Sequence, residues 1–67
     1  MIATIEMTLR WLDDPSSVTQ QELEEVYNES FDYLPSPQAT AGRIAIKAAM
    51  DNDLILAEEF VNRYPTT

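Results

Sequence analysis

Apolar and polar residues alternate over residues 3–11, ATIEMTLRW, with an apolar residue at every odd position. Strict alternation is typical of a half-buried β-strand, and Thr and Ile favour strands. The segment also fits an amphipathic helix, because apolar residues recur at steps of three and four from Ile2 to Leu12. A lone strand would find no pairing partner except a second copy of the chain. We therefore predict a helix over residues 2–13 and keep a strand over 3–11 as the alternative.

The segment VTQQEL marks the start of a second helix. Thr19 is placed to cap this helix, and Glu22, three residues later, is placed to reach back to the cap, which is the capping-box arrangement. The apolar residues that flank the cap add a hydrophobic staple. Apolar residues at helical spacing continue towards Pro35, which a helix does not readily pass. We predict a helix over residues 19–33.

A third helix is predicted over residues 37–50, with Ser36 as its cap and Pro37 at its first position. Its body is rich in alanine and contains the single glycine of the chain, Gly42. Glycine inside a helix costs about 1 kcal/mol relative to alanine, so we expect the backbone of another helix to lie against this position.

A fourth helix is predicted over residues 53–64, capped by Asp51 or Asp53. Within it, Glu59 precedes Arg63 by four residues, the favourable order for an ion pair on a helix surface. Together the four segments predict an all-α fold, a compact bundle of four short helices.

The 67 residues predict a single small helical domain, 1–67. A domain of this length buries only about 60% of the surface that its unfolded chain exposes. Association, for example as a homodimer, is one way to gain stability. No apolar run approaches the roughly 20 residues that span a bilayer, and no basic cluster precedes an apolar segment at the start. We expect a cytoplasmic protein without membrane contact.

The residue types exclude several chemistries. The chain has no His and no Cys, which excludes Ser-His-Asp and Cys-His nucleophiles, thiolate redox sites and the usual zinc sites. One glycine is too few for a phosphate-binding loop. The DND segment at residues 51–53 resembles the start of a calcium loop, but Leu56 and Asn62 stand where that loop requires Gly and Glu. We predict a protein that is not an enzyme and that uses no cofactor and no metal.

The charge of the chain restricts its partners. Twelve Asp and Glu residues against four Lys and Arg residues give a net charge of -8, which repels phosphates and anionic lipids. A helix-turn-helix that reads DNA through Gln38, Thr40, Arg43 and Lys47 is the alternative, but two positive charges on so acidic a body give little phosphate affinity. We therefore predict no direct nucleic-acid binding.

Four carboxylates recur at steps of three and four along one face of the predicted second helix and define an acidic ridge: Glu22, Glu25, Glu29 and Asp32. At the helical rise of about 1.5 Å per residue, the ridge is roughly 15 Å long. Our hypothesis is that it binds a basic protein surface and inhibits a nucleic-acid-binding partner by competition. The alternative is a solvated face that only aids solubility. Small phage or mobile-element regulators often have this composition, which is an analogy only.

Four apolar residues fall outside the main apolar stripes of the first and third helices: Met7, Trp11, Ile46 and Met50. One interpretation is an apolar patch that binds a partner or a second subunit, as in a structural or scaffolding module. The other interpretation is that these side chains complete the small core. Binding through the acidic ridge and binding through this apolar patch can be distinguished by salt, because charge-driven binding weakens with ionic strength and apolar binding does not.

Overall fold

A computed structural model of the protein describes residues 2–63, which form four α-helices joined by short turns. The helices are α1 (Ala3–Asp13), α2 (Gln20–Glu29), α3 (Pro37–Met50) and α4 (Leu54–Arg63). Short 3-10 turns follow the first two helices, at Pro15–Ser17 and Ser30–Asp32. No strand occurs within residues 2–63, so the all-α prediction is confirmed and the strand over 3–11 is wrong. The predicted end of the fourth helix at residue 64 lies outside the described residues.

The capping box at the start of α2 is confirmed. The backbone N–H of Glu22 donates to the Thr19 hydroxyl, and the Glu22 carboxylate accepts from the backbone N–H of Thr19, both at 3.1 Å. The helix ends at Glu29, earlier than the predicted residue 33. At that point the buried Ser30 hydroxyl donates to the carbonyl of Tyr27, an alternative to regular helical bonding that tightens the chain into a 3-10 turn.

The starts of α3 and α4 are also capped by side chains. The Ser36 hydroxyl accepts from the backbone N–H of Ala39 at 3.0 Å, as predicted for a cap. Of the two candidate caps for α4, Asp53 accepts from the backbone N–H of Leu56 at 3.1 Å. The other candidate, Asp51, forms the C-terminal cap of α3 instead. Between them Asn52 adopts a left-handed backbone with φ of 57°, which reverses the chain.

Helix α3 is the centre of the bundle and contacts each of the other three helices. Its small residues allow this close packing, since four of its alanines are at most 2% exposed: Ala41, Ala45, Ala48 and Ala49. Another helix does lie closely against Gly42, as predicted, but the nearest atoms belong to the Thr4 side chain of α1 and not to its backbone. A Cβ atom at Gly42 would overlap the Thr4 hydroxyl and lie 3.0 Å from Cδ1 of Ile2.

The structure corrects the interpretation of the four surplus apolar residues as an exposed patch. Trp11 is 5% exposed and Ile46 is fully buried, and both belong to the larger core cluster. Met7 and Met50 are half-buried and pack against that cluster. The physical reason is that α2 contacts both α1 and α3 and adds Leu23 to the same cluster, so it helps cover residues that two helices alone would leave exposed.

Candidate functional site

The carboxylates of the protein are almost entirely on its surface. Every Asp and Glu is exposed except Glu22, which is half-buried. Within residues 2–63, the single ion pair joins Lys47 Nζ to Asp51 Oδ1 at 2.9 Å. The predicted pair between Glu59 and Arg63 does not form, because the Arg63 guanidinium lies over the Phe60 ring, 5.0 Å from its centre. The negative charge of the domain is therefore largely unneutralised by its own basic groups.

Three members of the acidic ridge remain available on the surface of α2 and its following turn. Glu25 and Glu29 are exposed on the helix, and Asp32 is exposed in the 3-10 turn that continues from it. The one side-chain contact among them is the Gln21 amide, which donates to Glu25 at 3.2 Å. We call these three residues the α2 acidic surface.

Glu22 has a different role from the other three ridge residues. Its carboxylate accepts hydrogen bonds from the backbone N–H and from the hydroxyl of Thr19. These bonds favour the ionised form, so they lower the pKa of Glu22 below its ordinary value, and the positive charge of Arg10 adds to the effect. The side chain is thus engaged in holding the start of α2.

A shallow groove runs along α3 and α4 on either side of Ile44. One hollow of about 200 Å³ is lined by Tyr27, Ile44 and Leu56 near the turn between the two helices. A second hollow of about 640 Å³ is lined by Ile44 and Phe60, near the start of α3 and the end of α4. Both hollows are lined by Ile44, so they adjoin at this residue, and we call the two together the groove between α3 and α4.

Three of the four basic residues of the chain line this groove: Arg43, Lys47 and Arg63. Arg43 is held in place, because its guanidinium donates to the Ser30 hydroxyl at 3.3 Å and to the Ser30 carbonyl at 3.2 Å. It also lies 4.4 Å from the centre of the Phe31 ring, and Tyr27 packs edge-on against that ring. The pattern of the sequence did not reveal the groove, since it forms only when α3 and α4 pack side by side.

Several large apolar side chains are exposed that the sequence pattern did not single out. The most exposed are Leu34 at 87% and Ile55 at 83%, followed by Phe31 and Leu54. Leu34 lies beyond the end of α2, whose last residue is Glu29. Its position directly before Pro35 is the signal that disfavours helix there, because a residue before proline avoids helical backbone angles.

None of the helices within residues 2–63 is long and apolar enough to cross a membrane. Across the same range, no three acidic side chains stand close enough together to hold a metal ion. In comparisons with known proteins, no protein family matches the sequence, and neither a curated protein nor a solved structure is significantly similar to it. The two surfaces described above, acidic on α2 and grooved along α3 and α4, are therefore the candidates for function.

Proposed function

We propose that this chain is a non-enzymatic interaction domain whose α2 acidic surface binds a basic surface of a partner protein. The observation that supports this best is that Glu25, Glu29 and Asp32 are exposed and none of them pairs with a basic residue in the described part of the chain. The helix that carries Glu25 and Glu29 is fixed by its capping box and by the buried Leu23. A rigid helix loses little conformational entropy when it binds, which favours affinity.

The spacing of these carboxylates suggests the kind of partner. Glu25 and Glu29 are four residues apart, which is about 6 Å along a helix axis, and Asp32 follows three residues later in the 3-10 turn. Lys and Arg side chains can contact a row of anionic groups in the way that they contact the phosphates of a nucleic-acid backbone. We therefore propose that the partner is a nucleic-acid-binding protein and that this domain inhibits it by occupying the same basic surface.

A capture experiment with matched variants tests this proposal. The tagged protein is incubated with a lysate of its own cells, washed at low and at high salt, and the bound proteins are identified. The test variant carries Glu25→Gln, Glu29→Gln and Asp32→Asn. The control variant carries Glu58→Gln, Glu59→Gln and Asp13→Asn, which remove the same charge from other exposed positions.

The proposal predicts that basic nucleic-acid-binding proteins are captured, that salt or added duplex DNA releases them, and that only the test variant fails to capture them. Capture that survives in the test variant would refute it. Equal loss in both variants would also refute it, because the binding would then depend on net charge alone.

A second candidate is a structural or scaffolding domain that associates through apolar contacts. The observation that favours it is the exposure of Phe31, Leu34, Leu54 and Ile55. These exposed residues are different from those of the predicted apolar patch, because the members of that patch lie in the core or pack against it. Partners, or a second copy of the chain, that stay bound at high salt would favour this candidate over the acidic one.

A further inference from the structure

We propose that the groove between α3 and α4 is a second docking surface, and that it binds an acidic amphipathic helix of a partner protein. This goes beyond the function proposed above, because it concerns a different face of the molecule and a partner of opposite charge.

The groove differs in charge from the rest of the molecule. Its lining contains three of the four basic residues of the chain but only two of the twelve acidic residues, Asp51 and Asp53. The lining therefore carries a net charge of +1 on a domain of net charge -8. Both aspartates are already engaged, since Asp51 pairs with Lys47 and Asp53 caps α4.

Two arginines of the groove have no carboxylate partner among residues 2–63. Arg43 donates to Ser30 and lies over the Phe31 ring, and Arg63 lies over the Phe60 ring. Two arginines without a carboxylate partner are notable in a chain that has three times as many acidic as basic residues. Arginine presents a planar group with several donors that suits carboxylates, so an acidic group from outside fits these positions.

The shape of the groove selects a helix as the occupant. It extends from Pro37 to Asp51 along α3, which is about 20 Å at 1.5 Å per residue. This is most of the 29 Å length of the molecule. Apolar residues of an incoming helix, spaced at three and four, would lie on Ile44 and Phe60, while its flanking carboxylates would face the arginines.

A second copy of the chain is a poorer occupant, because the apolar side of its acidic helix α2 is not available for binding. Leu23 on that side is buried in the core of its own molecule.

Selection from a phage library of random peptides on the immobilised full-length protein provides the probe. The expected result is enrichment of peptides that combine Asp or Glu with Leu, Ile or Phe at helical spacing. The enriched peptides are then synthesised and titrated against the wild type and against Arg63→Glu and Ile44→Glu variants that are shown to be folded by circular dichroism.

The matched control is Arg10→Glu, which makes the same charge change in the last turn of α1, away from the groove. We expect each groove variant to lower peptide affinity about tenfold or more and the control to change it less than about twofold. Enrichment of basic peptides only, or of none, would overturn the proposal. An equal effect of Arg10→Glu, or self-association of the wild type that Arg63→Glu abolishes, would overturn it as well.

Discussion

The contact between Gly42 and Thr4 makes the sharpest prediction about stability. In an open helix, replacing glycine by alanine stabilises by about 1 kcal/mol. Here the added Cβ would overlap the hydroxyl of Thr4, which is fully buried, and would lie 3.0 Å from Ile2 Cδ1 and 3.3 Å from Thr4 Cβ. Overpacking of a core costs roughly 1–3 kcal/mol. The two terms together predict that Gly42→Ala lowers the free energy of unfolding by about 1 kcal/mol.

Removing the Thr4 side chain beyond Cβ should reverse this effect. The Thr4 hydroxyl has no hydrogen-bond partner within residues 2–63, unlike that of Thr8, which donates to the Thr4 carbonyl at 2.7 Å. A buried hydroxyl without a partner costs roughly 1–3 kcal/mol, whereas the lost methyl group contributes about 1 kcal/mol. We therefore expect Thr4→Ala to be close to neutral and the double variant Gly42→Ala, Thr4→Ala to be at least as stable as the wild type.

The assay is urea denaturation of the wild type, the two single variants and the double variant, followed by far-ultraviolet circular dichroism. The predicted coupling between the two substitutions is at least about 1 kcal/mol, above the error of such cycles. For a domain of this size, a change of about 1 kcal/mol also shifts Tm by roughly 4–8 °C. If Gly42→Ala alone stabilised the protein by about 1 kcal/mol, as in an open helix, the close approach of α1 and α3 would be refuted.

Three further predictions concern the cap and the core. Thr19→Ala should lower the free energy of unfolding by about 1 kcal/mol, and Gln21→Ala, at an exposed position of the same helix, should have little effect by the same denaturation assay. The folded-state pKa of Glu22 is lowered, so its carboxylate stabilises the fold at pH values above its ordinary pKa of 4.5. That contribution is lost as the pH falls below 4.5 and the carboxylate becomes protonated. Glu22→Gln should therefore be less stable than the wild type at neutral pH and should lose less stability below pH 4.5. Trp11→Ala should cost about 3–5 kcal/mol and leave the domain largely unfolded by circular dichroism, whereas Leu34→Ala should change stability by less than about 0.5 kcal/mol. A stable Trp11→Ala variant would contradict the assignment of that residue to the core.

Helix starts were predictable because they depend on residues close together in the sequence. The capping box of Thr19 and Glu22 and the cap by Ser36 need only three-residue spacings, and the structure contains both. The end of α2 was less predictable, because it depends on the buried hydroxyl of Ser30, whose environment is set by tertiary packing. A polar residue such as Ser30, on the apolar side of a predicted helix, does not indicate by its type alone whether the helix continues through that position or ends there.

The exposed surfaces of the protein were harder to predict than the helix ends, because they depend on how the helices pack together. In the sequence pattern, Trp11 and Ile46 fall outside the apolar stripes of their own helices, α1 and α3. In the structure, α2 packs against both of these helices and helps cover the two side chains. The pairing of Arg63 was predicted from spacing alone, whereas the observed contact is with the Phe60 ring. The groove along α3 and α4 joins residues up to 36 positions apart, from Tyr27 to Arg63, so no local pattern indicated it.

The most direct test of the central claim is the affinity of the captured partner for the two charge-matched triple variants, measured by titration calorimetry at several salt concentrations. The account predicts that Glu25→Gln, Glu29→Gln and Asp32→Asn together weaken binding about tenfold or more and flatten its salt dependence, while the control triple variant changes affinity less than about twofold. Equal weakening by both variants, or unchanged binding by the first, would contradict the claim that the α2 acidic surface is the binding site.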